Sequence, residues 1–268
     1  MKYNPNLAKE LNREVELKEK LEKRKKQLGK LAEEVVTPAI PSIPSIPAIM
    51  NQYSFLEGSL AEQVHDYILS NYPDLPNLSS IKPGKGSNPF YVTVVNDYFR
   101  ANNLKVRTAS QSELEYIIKN KLLELTGHYE DTALVLRSTK DPNKYLAKHL
   151  AKQIKNPKLP LMIPLNGLTL IEDDKSSHKY SFQLTNETKL IHAPVLNETS
   201  GQKFDETDDN GLPLLGNGTR TLYTRSDESG LSGLCVGRCL VLGSDDEGLA
   251  VSGGGGRVVL VNPEGARR

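Results

Sequence analysis

The sequence predicts an α+β fold, and three patterns carry that expectation. Apolar residues recur at helical spacing in several segments, short β-prone runs stand between and after them, and the last forty residues change texture, with Gly and small polar residues separating apolar anchors. The 268 residues, 37% hydrophobic and 25% charged, suffice for one full domain and a smaller appendage.

Leu7, Leu11, Leu17, Leu21, Leu28, Leu31 and Val35 form a narrow apolar stripe among Lys and Glu, so residues 1–36 are expected to be a charged amphipathic helix. The i, i+4 pairs Glu16–Lys20 and Glu19–Lys23 each add only about 0.2–0.5 kcal/mol. The stripe therefore needs a partner, either its own domain or a second copy in a coiled coil through residues 7–35. Pro38, Pro41, Pro44 and Pro47 follow at the three-residue period of polyproline II, which makes 37–51 a stiff spacer. Residues 52–87 read as a short helix and a turn-rich connector: Leu60, Val64, Tyr67 and Ile68 share a face, and Tyr72-Pro73 ends it.

The main domain is expected over 88–268. It starts with a helix over 90–103 carrying Phe90, Val94, Val95, Tyr98 and Phe99 on one face. After an extended 105–107, Ser110-x-x-Glu113 starts a second helix that buries Leu114, Ile117 and Ile118. A strand at 132–136, a helix at 145–154 and extended runs at 159–170, 180–184 and 190–195 come next. Residues 197–230 read as a long surface excursion with only 221–223 extended, and 258–261 as a strand of the fully buried kind.

Thirty-four Lys and Arg against thirty-three Asp and Glu leave a charge of +1, which removes the electrostatic case for nucleic acid. No apolar run reaches about eighteen residues and the N-terminus is charged, so neither membrane insertion nor a signal peptide is expected and the cytoplasm is favoured. Cys235 and Cys239 have C-x3-C spacing with no His close enough to complete a zinc site, so no metal is expected there. Asp205, Glu206, Asp208, Asp209 and Asn210 offer oxygen ligands but miss the register of a calcium loop, which leaves calcium open. Gly253–Gly256 precede a strand and no Lys-Ser or Lys-Thr, so they do not make a phosphate loop. No catalytic triad is apparent, and neither enzymatic activity nor a cofactor is expected.

Two further patterns point to a family. From Ser229 the chain reads S-G-L-S-G-L, then L-x-L-G-S, G-L-A-x-S and G-R-V-V-L-V, which resembles the variable region of diversity-generating retroelement target proteins, in particular an uncharacterised archaeal family. Tyr98 to Thr108, with Glu113-Leu114-Glu115-Tyr116 and the closing Gly256-Arg257-Val258-Val259, is similar to motifs of C-type-lectin-like folds of the formylglycine-generating-enzyme type. The Pro expected after position 107 and any Trp are absent.

The resemblance implies a C-type-lectin-like domain with a variable region over about 231–261. Its diversified, ligand-binding positions would be Cys235, Gly237, Arg238, Cys239, Val241, Gly243, Asp245, Asp246, Gly248, Val251, Gly253, Gly254 and Gly255. All are reachable by mutagenesis at adenines of Asn-type codons, whereas Glu247 is not. Catalytic cysteines of the enzyme branch do not carry over, because Cys235 and Cys239 fall at diversified positions. The implied function is non-enzymatic binding of an unknown protein or surface ligand; the alternative is a structural or assembly protein acting through its N-terminal helix. With many Gly and few aromatics on its variable face, this copy is expected to bind weakly.

Overall fold

The structure, a computed structural model, describes residues 52–262. The helix and spacer expected over 1–51 lie outside them. The described chain is α+β, with four α-helices set around a large mixed sheet.

Strand β1 (Tyr53–Phe55) pairs antiparallel with β15 (Val259–Val261), and β15 also pairs with β2 (Arg107–Thr108). The first and last described strands thus lie side by side. Helix α1 (Gly58–Asn71) buries Leu60, Ala61, Val64 and Ile68, and α2 (Pro89–Ala101) is buried along nearly its whole length. The sequence gives α2 a clear start: Asn88 accepts the Tyr91 N–H at 2.8 Å as N-cap, and Pro89 takes the first helical position, where its missing N–H costs nothing. Within α2, Asn96 accepts the Thr108 N–H and donates to its hydroxyl, fixing β2 against the helix. Helix α3 (Gln111–Asn120) begins at the expected capping box, with Glu113 accepting the Ser110 N–H at 2.9 Å. Helix α4 (Lys144–Gln153) packs against the hairpin of β5 (Leu168–Glu172) and β6 (Tyr180–Leu184).

The large sheet runs β7-β4-β3-β12-β13-β11-β8, where β3 is Tyr129–Leu136, β4 Leu161–Pro164, β7 Ile191–His192, β8 Gln202–Phe204, β11 Arg220–Tyr223, β12 Leu231–Val236 and β13 Leu242–Gly243. Strand β14 (Gly256–Arg257) joins the start of β3 in parallel. Alternation along β3 sends Leu134 and Leu136 to a core shared with α1, α2 and α4, and Ala133 and Val135 to a second core shared with α3, Phe204, Leu212 and Leu222.

Four expectations change. Residues 52–87 are not a connector outside the domain: β1 is a sheet strand, and Leu56, Leu60, Val64, Ile68, Leu78 and Ile81 share one core with Phe90 and Phe99. The surface excursion at 197–230 contains β8, β9 (Glu206–Thr207), β10 (Pro213–Leu214) and β11, and buries Phe204 and Leu222 completely. Phe204, Leu212 and Leu222 are too sparse among the many polar residues to register as a pattern. The extended runs at 159–170 and 190–195 are each interrupted, by 3-10 turns at Leu165–Gly167 and Pro194–Asn197. The strand expected at 258–261 is present and buried but starts at Val259, and the Gly256–Arg257 ahead of it forms a separate strand beside β3.

Candidate binding surface

The stretch from Leu231 to Arg257 contains β12, β13, β14 and the loops between them. Its side chains separate by role. Leu231, Ser232, Leu234, Val236, Leu242, Ser244 and Leu249 are each no more than 2% exposed. None of the thirteen positions expected to vary is buried, and Val251 reaches 63% exposure. Leu240, Ala250 and Ser252 lie between these extremes, half-buried.

The backbone of this stretch is held by residues outside it and by its own buried anchors. Arg137, only 3% exposed, donates to Ser232 Oγ at 2.6 Å, to Ser244 O at 3.0 Å and Oγ at 2.8 Å, to Leu196 O at 2.9 Å and to Asn197 Oδ1 at 3.0 Å. Burial pulls its guanidinium down to about 10, with Arg225 adding to the effect, so it stays charged at neutral pH. Ser232 Oγ in turn donates to Ser244 O at 2.6 Å. These two serines are anchors of the L-S-G-L and L-G-S motifs, and the buried cation explains why hydroxyls stand there.

A second polar chain reaches the turn at 237–241. Arg220 donates to Leu240 O at 2.6 Å and forms a two-pronged ion pair with Glu115, which accepts from Gln111 Nε2 at 2.9 Å. Gln111 Oε1 accepts from Thr132 Oγ1 at 2.9 Å, and the same hydroxyl lies 3.2 Å from Leu234 O. The other glutamate of Glu113-Leu114-Glu115-Tyr116 pairs with Arg107, with two contacts of 2.6 Å. Burial pushes the Glu113 carboxyl up, but Arg107 and Ser110 together hold it below its usual range.

The last loop is pinned through backbone atoms. Ala250 O accepts from Asn77 and Asn88, Ser252 Oγ accepts the Ser87 N–H, and the Tyr129 hydroxyl accepts the Gly253 N–H at 2.7 Å and donates toward Ser87 O at 3.0 Å. By contrast, of the thirteen candidate side chains only Asp246 makes a hydrogen bond with a described residue, to the Gly248 N–H at 2.7 Å. Six of the thirteen are glycines, and none of them has positive φ. A Cβ at Gly237, Gly248 or Gly255 would first meet the side chain of Val241, Val251 or Arg238, each itself a candidate position. Gly256 differs: its Cβ would fall 2.6 Å from Ser87 N and 2.7 Å from Tyr129, so only glycine fits.

A cavity of about 270 Å³ opens on this face. Cys235, Asp246, Gly248, Val251 and Gly253 contribute to its lining alongside Asp131, Tyr129 and the apolar Pro89 and Leu249. The remaining candidate positions stand on the surface outside it, so the structure gathers only some of the thirteen around one depression. Asp131 reaches the cavity through an irregularity in the ladder. Leu234 faces Ala133, but Cys235 faces Asp131, so Thr132 is the extra residue and the sides exchange below it. Asp131 consequently shares a face with Cys235 and accepts from Ser87 Oγ at 2.5 Å, while Glu130 turns to the other core. Burial raises Asp131 to about 7, with Asp246 adding to the rise and Ser87 opposing it. Burial, then the nearby carboxylates, also pushes the Cys235 thiol up, so it stays protonated; Cys239 is exposed on the 237–241 turn.

Asp131, Tyr129, Ser87, Arg137 and Arg220 escaped the sequence reading. A lone Asp in the strand-like Tyr129–Leu136 was the one available signal. The acidic segment at 205–210 uses its oxygens locally: Asp205 accepts from Thr219, and Asp208 accepts from the Asn210 and Leu212 N–H groups. Among the described residues no group of three or more His, Cys, Asp or Glu is arranged to hold a metal ion, and no helix is long and apolar enough to cross a membrane. No family model, curated protein or solved structure matches the chain.

Proposed function

We propose that this chain is a non-enzymatic binding protein whose C-type-lectin-like domain displays a surface diversified by a retroelement. One observation carries the reading: every position expected to vary keeps contact with solvent, while the anchors Leu231, Ser232, Leu234, Val236, Leu242, Ser244 and Leu249 around them are buried. A surface of this kind accepts new side chains without loss of the core. The hydrogen bonds support it, since they hold the loop backbone through Arg137, Arg220, Asn77, Asn88 and Tyr129 and so leave loop shape independent of the varied side chains. The six glycines support it as well, because their backbone conformations suit any L-residue.

The lectin-like part of the proposal draws on the residues of the resemblance. Arg107, Glu113 and Glu115 are all engaged in ion pairs that brace α3, and Gly256 is sterically required.

The test is to sequence the DNA flanking the gene. The proposal expects a near-copy of the codons for residues 231–261, differing chiefly at adenines, beside a reverse-transcriptase gene. Flanking DNA lacking both would overturn it.

A further inference from the structure

We propose that the cavity beside Asp131 receives the ammonium end of an alkyl chain, with the Asp131 carboxylate as its counter-ion. This rests on the reading that the 231–257 face is a binding surface, and it adds the chemistry of what binds.

Size comes first. At about 270 Å³ the cavity is smaller than the roughly 300–1,000 Å³ pockets that enclose drug-sized ligands, which suits a group as large as one side chain. Its walls are largely apolar, from Pro89, Leu249 and Val251, so a methylene chain is favoured over a compact polar ion. Charge comes second. Asp131 and Asp246 both line the cavity and no Lys, Arg or His does, which disfavours an anionic guest and favours a cationic one. Ser87 occupies Asp131 Oδ2, while Oδ1 has no donor among the described residues, so one acceptor is left for an incoming N–H.

Asp131 lies outside the diversified set. Variation at 235, 246, 248, 251 and 253 would therefore reshape the walls around a constant acidic group, keeping the charge preference while altering the fit.

The groups facing Asp131 set the pH response. They are Ser87 ahead of α2, Tyr129 on its own strand, Cys235 on β12, and Asp246 with Asp245 beyond it on the loop, with Glu130 acting from the opposite side of the strand. None is a cation, so the carboxylate stays protonated to unusually high pH for an aspartate, about 7, until an ammonium arrives. An alkylammonium holds its proton to about pH 10. Affinity should then rise about tenfold from pH 6 to pH 8 as Asp131 ionises.

The experiment titrates the full chain at pH 8 with n-butylammonium, with n-butanol and with Nα-acetyl-lysine N-methylamide, following protein resonances by NMR. The inference expects saturable binding of butylammonium, at least tenfold weaker binding of butanol, and a loss of at least tenfold in Asp131→Asn. Tighter binding of the lysine derivative assigns the ammonium to a polypeptide ligand, and tighter binding of butylammonium assigns it to a free amine. Equal binding of butanol and butylammonium would overturn the inference, as would undiminished binding in a folded Asp131→Asn protein. If that variant does not fold, the butanol comparison and the pH profile on the natural chain decide. The flanking DNA is an independent readout, so a repeat without ammonium binding removes only this inference, and ammonium binding without a repeat removes only diversification.

Discussion

Two stretches of this chain, 205–230 and 235–255, look alike in sequence, both rich in Gly, Asp and Ser, yet glycine means opposite things in them. In the first, three of the four glycines are a steric requirement, and only Gly216 has open space. Gly211 has φ +77° and would place a Cβ 2.7 Å from Ser112 N, Gly218 would overlap the Phe204 backbone, and Gly230, at φ +68°, would drive a Cβ into Pro142. In the second, no glycine has positive φ, Gly254 has open space around its missing Cβ, and three others would first meet side chains of other candidate positions. A loop whose path depends on its own glycines cannot vary. One whose path is fixed by distant arginines, asparagines and a tyrosine can.

The largest effect tests who holds the second stretch. Arg137→Met removes the donors to Ser232, Ser244, Leu196 and Asn197 inside the protein and should cost about 3–5 kcal/mol, because several buried acceptors lose their partners together. Urea denaturation measures the loss, and amide exchange should show residues 231–246 losing protection ahead of the rest. A variant as stable as the natural chain would mean that the loop holds itself.

The two faces of the irregular β3–β12 ladder provide the next test. Glu130 is 2% exposed and neither carboxylate oxygen has a hydrogen-bond partner among the described residues; burial, then Asp131, raises it from the ordinary 4.5 to about 8, against the pull of Arg257. The folded chain thus holds this proton more tightly than the unfolded one. Its contribution to stability is complete below pH 4.5 and is lost as pH rises through 8. Glu130→Gln stays neutral throughout, so its advantage over the natural chain should grow from near zero at pH 4.5 to about 4–5 kcal/mol above pH 8. Denaturation of both proteins across that range gives the curve, and a constant difference would place Glu130 in water.

How much of this was legible follows from range. Local signals are legible: the Ser110–Glu113 box, the apolar face of α2 and the buried Val258–Val261 all depend on neighbours in sequence. The anchors of the 231–257 stretch were also visible, as regular Leu, Val and Ser among small residues. Asp131 was not, because its direction depends on one extra residue at Thr132 that no periodicity announces. Nor was Arg137, whose partners lie about 60 to 107 residues away. The Pro-rich spacer before residues 52–87 and the turns after them point outside the domain, whereas their place in the fold is decided by β1 pairing with a strand some two hundred residues later.

The glycine contrast itself can be broken by two alanines. Gly230→Ala should cost about 2–3 kcal/mol, since a side chain is strained at that φ and Pro142 is backbone-rigid. A milder loss would mean that the Pro142 segment yields.

Gly254→Ala is the smallest effect and carries the opposite sign. Its backbone lies in a region open to any L-residue, nothing stands within 4 Å of the added methyl, and the neighbouring Gly253 and Gly256 are fixed by Tyr129 and by the Gly86 N–H bond to Gly256 O. With no folded-state penalty, alanine acts mainly on the unfolded chain, reducing the freedom lost on folding by about 0.4–1 kcal/mol. The variant should therefore unfold at slightly higher urea than the natural chain with an unchanged slope. The unchanged slope matters, because it separates an effect on chain entropy from a change in compactness. Destabilisation at Gly254 would show that this loop, like the 205–230 stretch, needs its glycine, and would remove the physical ground for treating the position as free to vary.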